Sequence, residues 1–275
     1  MSSLPGTLPV IAILGAGSMG GAILSGLLGP DVDVAGIRVT NRTEAKAAPL
    51  RSGATESWAT EVDPDANRKA VRGAGIVIIG VKPGMVPDLL REIAPALEPS
   101  AIVVSVAAAV TTATMEAIIP GVVVRAMPNT PSVIGRGVTG ISAGSRSTDL
   151  GMVRELFETV GTVLEIPESQ IDALSTISGS GPAYVFYLIE QLTRTAIGMG
   201  FTPAQASTMV DGTFVGASEL LVASGVAPGE LRRRVTSPHG TTERAIAELE
   251  KADLSALFDR ATASALARAK ELAAG

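Results

Sequence analysis

Residues 10–28 read Val-Ile-Ala-Ile-Leu-Gly-Ala-Gly-Ser-Met-Gly-Gly-Ala-Ile-Leu-Ser-Gly-Leu-Leu, and this stretch constrains the fold more than any other. Val10 to Leu14 is an unbroken apolar run, which suits a strand buried on both faces. Gly15, Gly17 and Gly20 follow as G-x-G-x-x-G, and Ile23, Leu24, Leu27 and Leu28 then share one helical face. Strand, glycine turn, helix is the setting in which a chain binds a dinucleotide. Gly15 permits the tight turn, Gly17 lets backbone approach a pyrophosphate, and Gly20 lets the helix pack close to the strand. The phosphates would rest on free N–H groups at the helix start. The competing reading is a tight strand-to-helix turn with no ligand.

The alternation continues downstream. Strands are expected at 36–40, 54–58, 76–81, 101–106, 122–127, 138–143 and 163–166. Helices are expected over 63–73, with Asp63 as cap and Pro64 in the first position, and over 86–94 and 148–159. Such alternation predicts a parallel, doubly wound sheet over residues 8–166. Ligand then belongs at the carboxyl ends of the strands, where the loops at Gly15, Asn41, Lys82, Ala107 and Asn129 fall. The second strand ends in Asn41-Arg42-Thr43, with no acid to accept bonds from a ribose 2′-OH. An amide, a guanidinium and a hydroxyl suit a 2′-phosphate, so NADPH is the expected cofactor, with NADH possible. Glu44 partly offsets Arg42. A solvated Arg42, with Thr43 capping the next helix, is the alternative.

From Glu168 onward no β-rich run occurs. Helices are expected over 171–177, 183–199, 203–223, 228–235, 242–250 and 254–272. The fold class is α/β + all-α: a Rossmann-type dinucleotide-binding domain over 1–166, then an all-helical substrate and dimerisation domain over 167–275. Between Ala173 and Ser218 only Glu190, Arg194 and Asp211 are charged. Helices with ordinary solvated faces carry more charge than this. The surplus apolar surface is expected to form a subunit interface; tight intrachain packing of Ala- and Gly-rich helices is the alternative.

Composition removes several function classes. The 275 residues carry a net charge of −5, which argues against nucleic acid or an anionic membrane as partner. Cysteine is absent, so disulfides, thiolate catalysis and Cys-ligated metal are excluded. The single histidine, His239, cannot build a zinc site alone, and no metal is expected. No secretory pattern opens the chain, because Leu4-Pro5-Gly6 breaks it, and no long uncharged run has the composition of a spanning helix. A cytoplasmic enzyme is the expectation.

Two stretches in the helical half suggest chemistry. Ser178-Gly179-Ser180-Gly181-Pro182-Ala183-Tyr184 places hydroxyls and free N–H groups before a long helix. Val235-Thr236-Ser237-Pro238-His239-Gly240-Thr241-Thr242 offers the same at another helix start, suited to a small carboxylate. Each also reads as an ordinary capped turn.

Taken together, Gly15-Ala16-Gly17-Ser18-Met19-Gly20, Val81-Lys82-Pro83, Arg125 to Pro131, Ser178 to Tyr184 and the Thr236 to Thr242 run resemble the pyrroline-5-carboxylate reductase family, in order, over nearly the whole chain. The resemblance implies reduction of 1-pyrroline-5-carboxylate to L-proline by NADPH or NADH. It also implies a helical domain interlocked with a twofold mate, in some members within a ring of dimers. Carried over, Leu14 to Met19 resemble the pyrophosphate loop, and Thr40, Asn41 and Arg42 the adenosine-ribose phosphate site. Asn67, Val81, Lys82 and Pro83 resemble further cofactor contacts, and Ala107, Ala108 and Ala109 the nicotinamide side. Ser180, Ser237, His239, Gly240, Thr241 and Thr242 resemble the substrate site. The family usually has Gly-Gly after the proline; here His239-Gly240 stands there, and a Cβ at that position restricts φ > 0.

With no thiol, metal cluster or obvious dyad at the two loops, catalysis is expected to rest on positioning and electrostatics. The substrate carboxylate is expected on N–H groups around Gly240 and Thr241, with Thr242 bonded to the ring nitrogen as the catalytic contact. His239 is expected to be a neighbour of the substrate rather than the proton donor. A β-hydroxyacid-type dehydrogenase is a competing class, but it needs a lysine in the long helix and none occurs between Ser178 and Arg232. A nucleotide-binding regulatory subunit would not need two hydroxyl-rich loops.

Overall fold

The computed structural model describes residues 7–147 and 149–274. Leu4-Pro5-Gly6 and Thr148, the expected start of one helix, lie outside them. Two compact units are present. One runs to Ser180 and includes the chain from Ala265 onward; the other is Gly181–Ser264.

The first unit is built from β1 (Ile11–Leu14), α1 (Ser18–Leu27), β2 (Ile37–Asn41), α2 (Glu44–Ala47), β3 (Thr55–Ala59), α3 (Ala66–Val71), β4 (Ile76–Ile79), α4 (Val86–Ile93), β5 (Ile102–Ser105), α5 (Thr112–Glu116), β6 (Val122–Met127), β7 (Gly137–Ala143), α6 (Gly151–Glu158), β8 (Gly161–Glu165) and α7 (Glu168–Leu174). The eight strands form one sheet in the order β3-β2-β1-β4-β5-β6-β7-β8. The order reverses between β1 and β4, which is where an open α/β sheet binds its ligand.

The apolar runs are continuous because both faces are covered. Along β1, Ile11 and Ile13 enter one core with Ile23, Leu27 and Phe157. Ala12 and Leu14 enter the other with Val77, Leu90 and Ile93. Fully burying a side chain of this size contributes about 1.5–3 kcal/mol.

The strands through β6 are parallel, but β6 pairs antiparallel with β7, and β8 follows the direction of β7. This corrects the all-parallel expectation. A parallel crossover takes a dozen or more residues; between Met127 and Gly137 the chain has room only for the short 3₁₀ turn Thr130–Ile134. A second difference is α3, which starts at Ala66 rather than near Asp63. Asp63 Oδ1 accepts the Asp65 N–H at 3.0 Å, capping the turn that precedes the helix.

The second unit holds α8 (Gly181–Gly198), α9 (Pro203–Ser224), α10 (Pro228–Arg234), α11 (Thr241–Lys251) and the first part of α12 (Leu254–Ala274). Thr202 and Gln205 close a reciprocal capping box ahead of α9, with Pro203 in the first turn. In α8 only Ala196 is buried, and in α9 only Ala206 and Val210. Phe186 and Tyr187 are 64% and 61% exposed, and Leu188, Leu192, Val215 and Leu220 stand open as well. Intrachain packing therefore does not account for the low charge of these helices. Among the described residues no single helix is long and apolar enough to cross a membrane; α9 and α10 have that composition only as a pair bent by 115°.

Candidate functional site

Because β1, β2, β4, β5 and β6 run parallel, the loops after Leu14, Asn41, Ile79, Ser105 and Met127 share one edge of the sheet. At its centre the glycine turn is shaped by backbone contact. Gly15 has φ +92°, and its N–H donates to the Thr40 carbonyl at 2.9 Å, which also accepts from Ala16 at 3.3 Å. A Cβ on Gly20 would stand 2.6 Å from the Gly15 carbonyl oxygen, and one on Gly80 would stand 2.5 Å from it. Both positions are closed to larger residues by the protein's own packing. Gly20 is legible as the third glycine of the motif; Gly80 is not, its one sequence signal being a glycine that closes the apolar run before Val81-Lys82-Pro83.

Gly17 is different. A Cβ there would meet nothing within 4 Å, so the fold does not require a glycine at this position. No side chain caps α1 at Gly17, and its first turn carries no acid. The N–H groups of Ser18, Met19 and Gly20 are therefore open at a helix start, beside a backbone stripped of its Cβ. This fits a pyrophosphate.

A cleft of about 430 Å³ extends from Gly15 along Thr40, Asn41, Arg42, Asn67, Val81 and Glu92. Thr40 Oγ1 donates to Asn67 Oδ1 at 2.7 Å, and Asn67 Nδ2 donates to Glu92 at 3.2 Å. With its proton given to Asn67, the Thr40 hydroxyl is left with acceptor capacity only. Asn41 is buried, with its amide 3.4 Å from the Lys46 carbonyl. Thr43 makes no capping bond; the Glu44 N–H goes to Glu61 instead, at 2.8 Å. Of the three polar residues at the end of β2, Arg42 is the one left exposed with no ion-pair partner among the described residues. Lys82 is exposed ahead of a 3₁₀ turn begun by Pro83. In the loop after β5, the Ala107 N–H is held by Ser105 Oγ at 3.2 Å, Ala108 is exposed, and Ala109 takes φ +64°. A larger cavity, about 690 Å³, is lined by the end of α1 and the turn after it (Ser25–Val32), by Ser132–Gly135 and by Glu158–Val160.

In the second unit the expected substrate loop ends on Gly240, which stands at the N-cap of α11 without a side-chain cap. Gly240 N–H donates to the Ser237 carbonyl at 3.0 Å. It is therefore consumed by the turn, and the open donors are those of Thr241 and Thr242, a shift from the expected Gly240–Thr241 pair. Thr236 Oγ1 turns back to the Arg232 carbonyl at 2.6 Å. The hydroxyls of Ser237, Thr241 and Thr242 have no hydrogen-bond partner among the described residues, and Thr242 is half-buried. His239 has φ +62°, and its N–H donates to Glu243 Oε2 at 2.9 Å. The backbone there keeps the left-handed conformation that favours glycine although a side chain is present. Ser180 belongs to the first unit, at the end of a π-turn, where its N–H reaches the Ser175 carbonyl at 2.8 Å. Among the described residues no group of three or more His, Cys, Asp or Glu side chains is placed to hold a metal ion.

Comparison with known proteins agrees with this architecture. The family described as "Pyrroline-5-carboxylate reductase dimerisation" matches residues 168–272, and that described as "NADP oxidoreductase coenzyme F420-dependent" matches residues 10–109. The pyrroline-5-carboxylate reductase of Corynebacterium melassecola is 38% identical over 271 residues, covering 95% of this chain and 98% of that protein. The pyrroline-5-carboxylate reductase structure from Coxiella burnetii superposes with a TM-score of 0.86 at 34% identity, covering 95% of this chain and 97% of that one. The pyrroline carboxylate reductase from Plasmodium falciparum, solved with NADP bound, shares the fold at a TM-score of 0.82 and 24% identity, covering 98% of this chain and 100% of that one. A glycine turn open at the sheet's switch point, a second open helix start rich in free hydroxyls and full-length similarity converge on one conclusion: the chain belongs to the pyrroline-5-carboxylate reductase family.

Proposed function

We infer that this chain reduces 1-pyrroline-5-carboxylate to L-proline with NAD(P)H. The observation that carries the reading is the pair of uncapped helix starts, α1 at Gly17 and α11 at Gly240, within a chain similar end to end to pyrroline-5-carboxylate reductases. NAD(P)H, when bound, supplies a hydride to the carbon of the C=N bond. Leu14 to Gly20 hold its pyrophosphate, with Gly17 giving the close approach. Thr40, Asn41, Arg42 and Asn67 form the adenosine-ribose end, and the Arg42 guanidinium pairs with a 2′-phosphate. Val81, Lys82 and Pro83 continue the cleft wall, and Ala107 to Ala109 border the nicotinamide.

On the substrate side, the Thr241 and Thr242 N–H groups and the Ser237 hydroxyl hold the carboxylate. The Gly240 turn and His239 shape the loop around it, and Ser180 adds a hydroxyl. Thr242 Oγ1 bonds the ring nitrogen, orients the imine and relays its proton from water. The substrate gains one hydride at carbon and one proton at nitrogen, which balances the reduction. These residues act by positioning, without a nucleophile or a metal.

The exposed faces of α8 and α9 join two copies into a dimer, and dimers assemble further into a ring. The nucleotide-binding and the substrate or dimerisation segments divide at 166/167, and the enzyme works in the cytoplasm with neither nucleic acid nor membrane as partner. Purified protein given NADPH and 1-pyrroline-5-carboxylate should lose the cofactor's reduced absorbance, with no loss on ketopantoate and no gain when NADP+ is supplied with β-hydroxy acids. Turnover of those compounds instead would favour the dehydrogenase reading, which the lack of a lysine between Ser178 and Arg232 opposes.

A further inference from the structure

Ser178 sits in a single turn of π-helix, Ser175–Gly179, between α7 and α8. The extra residue in such a turn takes backbone groups out of the regular ladder, and π-turns concentrate at functional sites. The Ser178 carbonyl meets a second break. In a continuing helix its partner would be the N–H four residues on, but that residue is Pro182, which has none. A half-buried carbonyl in this position needs a donor from elsewhere.

Asn129 supplies it. Its Nδ2 donates to the Ser178 carbonyl at 2.9 Å, and its Oδ1 accepts the Val138 N–H at 2.8 Å. The side chain follows β6 directly, is 7% exposed, and is fixed at both ends of its amide. The same segment is anchored again one turn earlier. Arg125 of β6, 2% exposed, pairs with Asp172 of α7 at 2.5 Å and lies 3.7 Å from Glu168. Glu168 accepts the Thr112 N–H at 2.7 Å and its hydroxyl at 2.5 Å, three residues beyond Ala109. The loop after β5, the end of β6 and the Ser175–Ser180 turn are therefore one hydrogen-bonded assembly.

We propose that Asn129 is a positioning residue for the reduction: its amide holds the Ser178 carbonyl and thereby sets the Ser180 hydroxyl in register with the carboxyl ends of β5 and β6. The proposal rests on the reductase reading given above. Asn129→Asp keeps the shape and the acceptor for Val138 but cannot donate to Ser178. It should lower kcat/KM for 1-pyrroline-5-carboxylate at least tenfold while the Kd for NADPH stays within twofold. Amide exchange at Ser180 should quicken at least tenfold, with β1 and β4 unchanged. Pro182→Ala restores a local N–H to the Ser178 carbonyl. Added to Asn129→Asp, or to Asn129→Ala should Asn129→Asp not fold, it should recover Tm without recovering kcat/KM. Asn129→Asp within twofold of wild-type kcat/KM, unchanged exchange at Ser180, or recovery of kcat/KM by Pro182→Ala would each overturn the proposal. Failure of wild-type protein to turn over 1-pyrroline-5-carboxylate would instead defeat the reductase reading. The exchange measurement would then decide alone: quicker exchange at Ser180 supports the holding role of Asn129, and unchanged exchange overturns it.

Discussion

Arg51 grips Glu44 through both terminal guanidinium nitrogens, at 2.5 and 2.9 Å. That hydrogen-bonded pairing holds the Glu44 carboxyl below its ordinary range and keeps it ionised on Arg51. Glu44 is the acid the sequence sets closest after Arg42, and its engagement leaves Arg42 free at the rim of the cleft. Replacing Arg42 by Ala should therefore raise the KM for NADPH about tenfold, the loss of a charge-assisted bond worth roughly 1.5 kcal/mol. The KM for NADH should move far less. Steady-state kinetics with both cofactors checks this, and equal effects would refute a 2′-phosphate contact.

Gly17 and Gly80 should respond oppositely to alanine. Gly17→Ala adds a Cβ in open space, so stability should stay within about 0.5 kcal/mol, while NADPH affinity falls tenfold or more because the new methyl occupies the pyrophosphate's approach. Gly80→Ala drives a Cβ against the Gly15 carbonyl and should cost about 1–3 kcal/mol of stability. Thermal melts and NADPH titration of the two variants separate a glycine required by ligand from one required by the fold. Unchanged affinity in Gly17→Ala would remove the pyrophosphate from this turn.

The sequence was readable wherever burial writes itself into composition. Ile11 to Leu14 and Ile76 to Ile79 are buried on both faces and read as unbroken apolar runs. The direction of β7 was hidden because periodicity carries no direction; only the short span from Met127 to Gly137 betrays it. Five-residue α5 is too short to show a helical period. The constraint on Gly80 arises from Gly15, 65 positions earlier in the chain, and exists only once β1 and β4 are paired. In the candidate site, residue types at the loops were legible, but which groups remain free was not. Asn41 and the Gly240 N–H are consumed by local bonds that follow from exact turn geometry.

Thr242 should matter more than its neighbours. Its hydroxyl is unengaged and half-buried at the first turn of α11. Thr242→Ala should lower kcat/KM for 1-pyrroline-5-carboxylate ten- to hundredfold, the loss of a bond worth about 1.5–3 kcal/mol. Thr242→Ser should retain most of the rate. A value for Thr242→Ala within about threefold of wild type, under roughly 0.7 kcal/mol, would remove Thr242 from the imine nitrogen.

His239→Gly should keep most of the activity. The native backbone already has φ +62°, where a non-glycine residue costs roughly 1–2 kcal/mol. Offset by the added freedom of the unfolded chain, Tm should hold or rise slightly. A loss of about 10³-fold or more, the scale of removing a general acid, would make His239 the proton donor and end the positioning mechanism.

The reductase assignment itself is tested most directly by counting product. Wild-type protein, limiting NADPH and excess 1-pyrroline-5-carboxylate should yield one L-proline for each NADPH oxidised, measured by chiral amino-acid analysis beside the absorbance change. NADPH oxidation without proline, or proline formed in a ratio other than one per NADPH, would contradict the account.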